Sequence, residues 1–234
     1  MVYSEETLTE QVDVLVMAAG TGTRMGAAER KQWLLLCGYP VFVYVLKRLL
    51  GFGVVSCILV VHPEDVERSR EQLSLLGLSG CAVVAGGPNR QASVLRGLSA
   101  CTRPLVAVHD AARPFLSATD FAAVLKAGAQ HGAATLGHPV RDTLKRIDSA
   151  GNVCVNVDRG GVWAVQTPQV FARSLLVEAH RDAAQAGISA TDDAALLERI
   201  GVPVHVVQGS KWNVKLTDPD DLEFMRQWEA IHCE

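Results

Sequence analysis

The chain has 234 residues, 49% of them hydrophobic and 20% charged, a balance typical of a globular protein with a sizeable core. Its net charge of −3 and the lack of a long cationic run argue against general nucleic-acid binding. The polar Met1–Gln11 segment, apolar stretches too short to span a bilayer, and six scattered cysteines without metal-ligand spacing predict a cytoplasmic protein with no membrane segment.

The first half of the chain alternates apolar runs with helical patterns. Strands buried on both faces are predicted at Val12–Met17, Cys57–Val61, Cys81–Ala85 and Leu105–His109. Helices are predicted at Val41–Leu50, Glu64–Leu76, Asn89–Cys101 and Ser117–His131, with a further strand at Ala133–Pro139. This strict alternation predicts an α/β fold whose mostly parallel sheet is flanked by helices.

A β-hairpin is predicted over residues 140–160, because residue types alternate with period two on both sides of the turn-forming Asp148–Asn152. Val153, Val155 and Val157 share one face of it. A hairpin alone is marginal in water, so this face must pack on something. A partner subunit and the chain's own domain fit the pattern equally well.

The last third predicts an irregular segment, two helices, two short strands and a terminal helix. These are Trp163–Gln169, helices at Phe171–Ala186 and Asp192–Ile200, strands at Val204–Gln208 and Asn213–Thr217, and a helix from Pro219 to about His232. Since there is no linker, internal repeat or low-complexity segment, residues 1–234 are interpreted as a single domain.

The segment Ala18–Gly26 directly follows the first predicted strand and is rich in small residues. Small residues let backbone N–H groups approach an anion closely, and the cations Arg24 and Lys31 stand within reach. Met25 occupies the third-glycine position of a dinucleotide fingerprint, and no Walker loop occurs in the chain. The loop therefore predicts a triphosphate site, against the alternative of a flexible turn with solvated cations.

Two further motifs follow predicted strands, at the edge where open α/β sheets bind ligands. In His109–Pro114, Asp110 could orient a metal or a substrate hydroxyl, and Arg113 could hold a phosphate. Alternatively, Asp110 and Arg113 could form an ion pair that stabilises the loop. His109 is predicted to be a packed residue. In Gly86–Ser93, the glycines leave room for a flat base, and Asn89 is predicted to cap the next helix.

Three remaining features of the sequence have simpler alternatives. The polar groups of the hairpin are typical of a face that is exposed to solvent. The run Thr191-Asp192-Asp193 is typical of a helix cap. Lys215 is an unusual residue in the predicted strand Asn213–Thr217, so its side chain is expected to point into a polar cleft or out to solvent.

Taken in order, these motifs resemble the 2-C-methyl-D-erythritol 4-phosphate cytidylyltransferase family of the non-mevalonate isoprenoid pathway, over about residues 14–222. The matching segments are the Ala-Ala-Gly-x-Gly-x-Arg-Met loop, Lys31-Gln32, Gly86–Ser93, His109–Pro114, Asp142-Thr143, Val157–Arg159, Gln166–Gln169, Thr191-Asp192 and Asn213-x-Lys215. The chain departs from the family in two places: Arg30 stands where a proline is usual, and Ala195 where a serine is usual.

The resemblance implies a Rossmann-like nucleotidyltransferase domain that joins CTP to 2-C-methyl-D-erythritol 4-phosphate, with Mg²⁺ or another divalent cation held mainly by the CTP phosphates rather than by protein ligands. It also implies a homodimer in which the 140–160 hairpin serves the neighbouring site. The implied catalytic residues are Arg24, Lys31 and Lys215. The implied nucleotide-binding residues are Ala18, Ala19, Gly20, Gly22, Gly87, Ser93, Asp110 and Ala111. The implied acceptor-binding residues are Asp110, Arg113, Thr143, Arg159, Thr167 and Thr191.

Three alternatives stay open at this point. A ribitol-phosphate cytidylyltransferase would keep the chemistry and change the acceptor. A CTP sensor would bind without turnover, although it would have no need of three cations at a reacting phosphate. A glycosyltransferase is disfavoured because none of the motifs described above contains the Asp-x-Asp pattern of a metal site.

Overall fold

The computed structural model describes residues 8–20, 30–36 and 38–232, with side chains described up to residue 227. The strands are β1 (Val12–Ala18), β2 (Leu35–Leu36), β3 (Tyr39–Pro40), β4 (Cys57–Val61), β5 (Ala82–Ala85), β6 (Leu105–Asp110), β7 (Ala133–Pro139), β8 (Leu144–Ile147), β9 (Val153–Val157), β10 (Trp163–Ala172) and β11 (His205–Gln208). The α-helices are α1 (Val41–Gly51), α2 (Val66–Leu75), α3 (Arg90–Leu98), α4 (Ala118–His131), α5 (Arg173–Ala186), α6 (Asp193–Arg199) and α7 (Pro219–His232).

Seven strands form the central sheet, in the order β11-β7-β10-β6-β1-β4-β5. β1 lies parallel to both of its neighbours, with Val14 opposite Cys57 on β4 and Ala107 on β6. β10 runs antiparallel between β6 and β7. The α/β fold with a mostly parallel sheet is therefore confirmed.

Helices cover both faces of this sheet because the strand residues are apolar in both directions. On β1, Val14 and Val16 belong to the core that α1, α2 and α4 cover, whereas Leu15 points into the opposite core with α3, α5 and α6. All three side chains are fully buried. Such two-sided burial is typical of the central strand in a three-layer α/β fold.

Several sequence-based boundaries need correction. The segment predicted as irregular, Trp163–Gln169, is most of β10, so the following helix begins at Arg173 and not at Phe171. Asn213–Thr217 is not a strand. β5 is not buried on both faces, because it is the edge strand and Ala82 is exposed.

β8 and β9 form the predicted hairpin, and it extends beyond the sheet from the ends of β7 and β10, where Pro139 pairs with Trp163. Its apolar residues remain open: Ile147, Val153 and Val155 are 61%, 62% and 52% exposed. The described part of the chain therefore does not cover this face.

The chain runs from β1 to β4 and β5 on one side of the sheet, then returns to place β6 on the other side of β1. Strand order reverses at this point, and a crevice opens at the carboxyl ends of β1 and β6. None of the helices in the described ranges has both the length and the apolar character needed to cross a bilayer.

Candidate active site

A cleft of about 320 Å³ lies at this switch point. It is lined by the end of β1, the loop and first turn of α3, the end of β6, and two lysines that are distant in sequence. Its lining residues are Met17, Ala18, Ala19, Gly20, Lys31, Gln32, Gly87, Pro88, Asn89, Arg90, Ser93, Asp110, Ala111, Ala112 and Lys215. Nine of the predicted catalytic and binding residues meet here, although they come from five separate segments.

The first βα turn contributes Ala18, Ala19 and Gly20 to the cleft. Gly22 and Arg24 lie outside the described residues. Lys31 stands on a short 3₁₀ helix, Lys31–Trp33, and its Nζ donates to the carbonyl of Leu216 at 3.1 Å. The loop's beginning and the cation after it thus reach the same cleft.

Asp110, at the end of β6, has cationic side chains around it, in the cleft and beside it. Its Oδ2 lies 2.6 Å from Lys215 Nζ and 4.0 Å from Arg113 Nε. Burial would raise the pKa of this carboxyl, but the charge and hydrogen bond of Lys215, with the charges of Arg90 and Arg113, lower it to about 2. Asp110 is therefore ionised at any physiological pH, and it holds Lys215 at the cleft.

Lys215 reaches this position from a loop and not from the predicted strand. The Leu216 amide donates to the Ala112 carbonyl at 2.8 Å, and Arg113 Nη1 donates to the Asn213 carbonyl at 2.6 Å. Asn213 in turn donates through Nδ2 to the Thr167 carbonyl at 2.9 Å. Bonds to the loop after β6 and to β10 therefore fix the segment, in place of a strand ladder.

His109 is fully buried, and burial lowers its pKa to about 4. Its Nε2 lies 3.2 Å from the Arg113 carbonyl, which can only accept, so Nε2 carries the proton. Nδ1 then accepts from the Thr167 hydroxyl at 3.2 Å, and that hydroxyl also accepts from the Asp110 amide at 3.0 Å. The structure bears out a packed, neutral histidine that braces the end of β6.

Close packing explains the two glycines after β5. A Cβ at Gly86 would lie 2.5 Å from the Cβ of Ala19, and one at Gly87 would lie 2.5 Å from the Cβ of Ala92. Ser93 Oγ accepts from the Gly87 amide at 3.0 Å and donates to the Asn89 carbonyl at 2.8 Å. The glycines thus bring this loop against the first βα turn.

The predicted helix caps are confirmed. Asn89 Oδ1 accepts from the Ala92 amide at 2.8 Å, and Asp192 Oδ1 accepts from the Ala195 amide at 3.1 Å. Both helices, α3 and α6, begin at the residue that follows the cap.

The sequence interpretation missed Arg90. It is the first residue of α3 and lines the cleft, and its Nη1 lies 2.7 Å from Oδ2 of the fully buried Asp193. Its position in the sequence could have indicated it, because it directly follows a helix cap in a motif that is predicted to lie at the ligand site. Its acidic partner could not be inferred, since it lies on another helix.

Five of the six predicted acceptor-binding residues do not line the cleft. Thr143 and Arg159 stand exposed on the hairpin, where Arg159 Nη1 donates to the Arg141 carbonyl, and Thr191 is exposed before α6. Thr167 and Arg113 are also outside the lining, and their polar groups bond to the backbone of Asp110 and Asn213. These roles stay predictions.

No group of three His, Cys, Asp or Glu side chains in the described ranges could hold a metal ion. Asp110 is the one carboxylate among the described cleft residues, and Lys215 already pairs with it. This donor set fits a Mg²⁺ ion that takes most of its oxygen ligands from a bound nucleotide.

Arg30, which stands where the resembled family usually has proline, anchors the end of the first βα loop. Its φ of −63° is the angle that a proline ring would impose. Its guanidinium lies 2.8 Å from Asp65 and 2.5 Å from Glu64, both after β4. Because Asp65 is only 5% exposed, removing Arg30 would leave a buried carboxylate without its cation.

We expect Arg30→Ala to lower the free energy of unfolding by about 2 kcal/mol, or ~4–8 °C in Tm for a protein of this size. Arg30→Pro, which keeps φ fixed, should lose less. Thermal unfolding of both variants, with Arg70→Ala as the control for an exposed arginine paired to Glu67, checks this. An unchanged Tm for Arg30→Ala would contradict the anchoring role.

Residues 12–228 match the family model of 2-C-methyl-D-erythritol 4-phosphate cytidylyltransferase. The chain is 44% identical over 227 residues to the enzyme of that name from Symbiobacterium thermophilum, covering 95% of each chain. It is 40% identical over 221 residues to the one from Aquifex aeolicus, covering 94% of this chain and 97% of the other. The crystal structure of the one from Thermus thermophilus, at 34% identity, matches with a TM-score of 0.81, covering 94% of this chain and 99% of that one.

Proposed function

The chain belongs to the family of 2-C-methyl-D-erythritol 4-phosphate cytidylyltransferases, and we propose that the cleft between β1 and β6 is where it carries out that reaction. It transfers the cytidylyl group of CTP to 2-C-methyl-D-erythritol 4-phosphate, giving 4-diphosphocytidyl-2-C-methyl-D-erythritol and pyrophosphate in isoprenoid precursor biosynthesis. The observation that carries the assignment of the cleft is the meeting of Lys31, Lys215 and Asp110 with the amides at the end of β1.

The reaction needs positioning and charge stabilisation more than a base. A phosphate monoester has a second pKa of about 6, so the acceptor phosphate is largely dianionic at neutral pH and attacks the α-phosphorus of CTP directly. His109 is neutral, buried and engaged at both nitrogens, which supports a mechanism without a histidine base. The protein's residues then act on the charge of the five-coordinate transition state.

In this proposal Lys31, Lys215 and Arg24 surround the α-phosphate, and the amides of Ala18–Gly22 hold the triphosphate. A bound Mg²⁺ would neutralise phosphate oxygens. Gly87, Ser93 and Asp110-Ala111 would contact the base and ribose. The support is that Lys31, Lys215 and the described parts of these loops share one lining.

The acceptor would lie beside the α-phosphate, near Asp110 and Arg113, with Thr167 and Thr191 around it. Thr143 and Arg159 are on the hairpin and line no part of this chain's cleft. They could serve a site only if the hairpin reached another subunit. We therefore propose a homodimer in which each hairpin completes the partner's site, and the uncovered apolar face supports it.

We also propose that the enzyme works in the cytoplasm. The four described cysteines are free, and three of them are buried, which suits a reducing compartment.

The function is tested by incubating the purified protein with CTP, Mg²⁺ and either 2-C-methyl-D-erythritol 4-phosphate or ribitol phosphate. Pyrophosphate release and product mass are followed. A cytidine-diphosphate product from the first acceptor alone is expected. Turnover with ribitol phosphate alone would keep the mechanism and overturn the acceptor, and tight CTP binding without any turnover would favour a sensor.

We expect Val153→Asp to abolish the dimer at micromolar concentration and to lower activity at least about tenfold, because a buried unpaired carboxylate is costly at an apolar interface. Val153 is 62% exposed in the single chain, and the residue opposite it in the hairpin is the apolar Ile147. Asn156→Asp on the opposite face is the matched control, since Lys145 Nζ lies 2.7 Å from Asn156 Oδ1 and would pair with the new charge. Light scattering and turnover are measured, and a fully active dimer of Val153→Asp would contradict the proposal.

Sharing of sites between subunits has its own test. In an equimolar mixture of Lys31→Ala and Arg159→Ala chains, half of the dimers are mixed and each mixed dimer carries one intact site. The mixture should then regain about a quarter of wild-type activity. If the mixture were no more active than its components, each site would be formed by one chain.

A further inference from the structure

Arg90, Asp193 and His180 form a line of charged and polar groups that runs from the cleft into the core. Arg90 Nη1 lies 2.7 Å from Asp193 Oδ2, and His180 Nε2 lies 3.0 Å from Asp193 Oδ1. The side chains of Asp193 and His180 are 1% exposed, whereas that of Arg90 is 33% exposed and lines the cleft. The arginine is thus the one member of the three that a ligand in the cleft can touch.

The charges of this group fix the arginine in place. Burial would raise the pKa of Asp193, but the hydrogen bond from His180 and the charge of Arg90 lower it, so the carboxylate is an anion. Burial would lower the pKa of Arg90, but the charges of Asp193 and Asp110 raise it. Moving Arg90 away would strand a fully buried carboxylate, which is strongly unfavourable.

Asp193 also connects two parts of the proposed site. It is the first residue of α6 and follows Asp192, whose Oδ2 accepts from Gln169 Nε2 at 2.7 Å. The exposed Thr191, a proposed acceptor contact, directly precedes Asp192. The carboxylate of Asp193 therefore ties the segment beside the acceptor to the first turn of α3, which lines the nucleotide cleft.

We propose that Arg90 is a nucleotide-binding residue that donates to oxygen acceptors of CTP, and that Asp193, held by His180, is the positioning residue that fixes it and couples the two substrate subsites. This inference rests on the proposed assignment of the cleft. The guanidinium is a fixed fork of donors, and only part of the fork faces Asp193. The part that enters the cleft is already oriented before the nucleotide binds.

The test is titration calorimetry of the purified protein with CTP, which needs no turnover, followed by steady-state kinetics. Arg90→Ala should raise the Kd for CTP about tenfold or more with kcat little changed, since it removes a charge-assisted contact present before and during reaction. Arg90→Lys should restore part of the affinity through charge alone. Asp193→Asn should raise both the Kd for CTP and the KM for the acceptor.

Arg199→Ala is the matched control, because Arg199 pairs with Asp182 at 2.8 Å on the exposed surface between α5 and α6. Thermal unfolding identifies any variant that fails to fold. Because Arg90→Ala strands the buried Asp193 carboxylate, the double variant Arg90→Ala/Asp193→Asn, which removes both charges, keeps the test decisive if a single variant does not fold. The double variant Arg90→Ala/Asp193→Asn should bind CTP no more weakly than Arg90→Ala alone. Full additivity, or wild-type affinity in Arg90→Ala, would overturn the inference, whereas absence of CTP binding in the wild type would overturn the assigned cleft instead.

Discussion

Replacing Lys31 with alanine is expected to lower kcat about 100-fold or more, with a much smaller change in the KM for CTP. Lys31 lines the cleft and contacts the carbonyl of Leu216, the residue that follows Lys215, so both ammonium groups belong to one side of the site. The charge on the α-phosphate oxygens is greatest in the five-coordinate transition state. A fixed cation there stabilises the transition state more than the bound substrate.

Steady-state kinetics in CTP and in acceptor measure this effect. Lys47→Ala is the control, because Lys47 lies on α1 with its Nζ 3.9 Å from the centre of the Tyr39 ring, away from the cleft lining. If Lys31→Ala kept full kcat and only raised the KM, the lysine would bind the ground state and would not be catalytic.

Asp110→Asn is expected to lower kcat/KM about 1000-fold, because it removes the negative charge with which several cationic side chains interact. Its carboxylate holds Lys215 at 2.6 Å and balances the charges of Arg113 and Arg90. Without it the cleft keeps its cations but loses the anion that orders them. The neutral amide is of nearly the same size, so the loss measures charge and not packing.

The acid dependence of stability gives an independent readout for this residue. The pKa of Asp110 falls from 3.8 to about 2 on folding, so the carboxylate stabilises the fold above the unfolded value. That contribution, about 2 kcal/mol, is lost as pH falls through about 2. Asp110→Asn should therefore remove a component of acid unfolding while leaving the pH profile between 5 and 9 without a new inflection.

Unfolding curves at stepped pH and kinetics of Asp110→Asn check both expectations. Asp182→Asn, which removes an exposed carboxylate paired with Arg199, serves as the matched variant. A loss of kcat/KM below about threefold would show that Lys215 needs no anion to hold it.

The strands of the sheet could be predicted where a continuous run of apolar residues indicates burial. β4 is apolar throughout, β1 is apolar except for Asp13, and the bounds of both differ from the prediction by at most one residue. β10 could not be predicted, because its middle is polar: Gln169 is buried but bonds to Thr135 and Asp192, partners that only the fold brings near. Periodicity carries no information about such side-chain partners.

The candidate site, too, could be predicted only where its residues do not depend on contacts that the fold creates. Asp110 and the end of β1 lie at the ends of predicted strands, which locate them, and Lys31 is located by its place after the small-residue loop. Lys215 was identified by its unusual residue type, although the strand predicted around it is a loop fixed by Ala112 and Arg113. Arg90 depends on an ion pair between α3 and α6, and sequence distance gives no sign of that contact.

The contact between Gly86 and Ala19 links two loops that are far apart in sequence. A carbon added at position 86 would lie 2.5 Å from the existing methyl group of Ala19 and 2.9 Å from Ser93 Oγ. Position 86 can therefore accept a side chain during evolution only if position 19 loses its methyl group and Ser93 Oγ shifts. Relatives that carry a side chain at position 86 should show glycine at position 19, so the two sites are expected to covary as a pair.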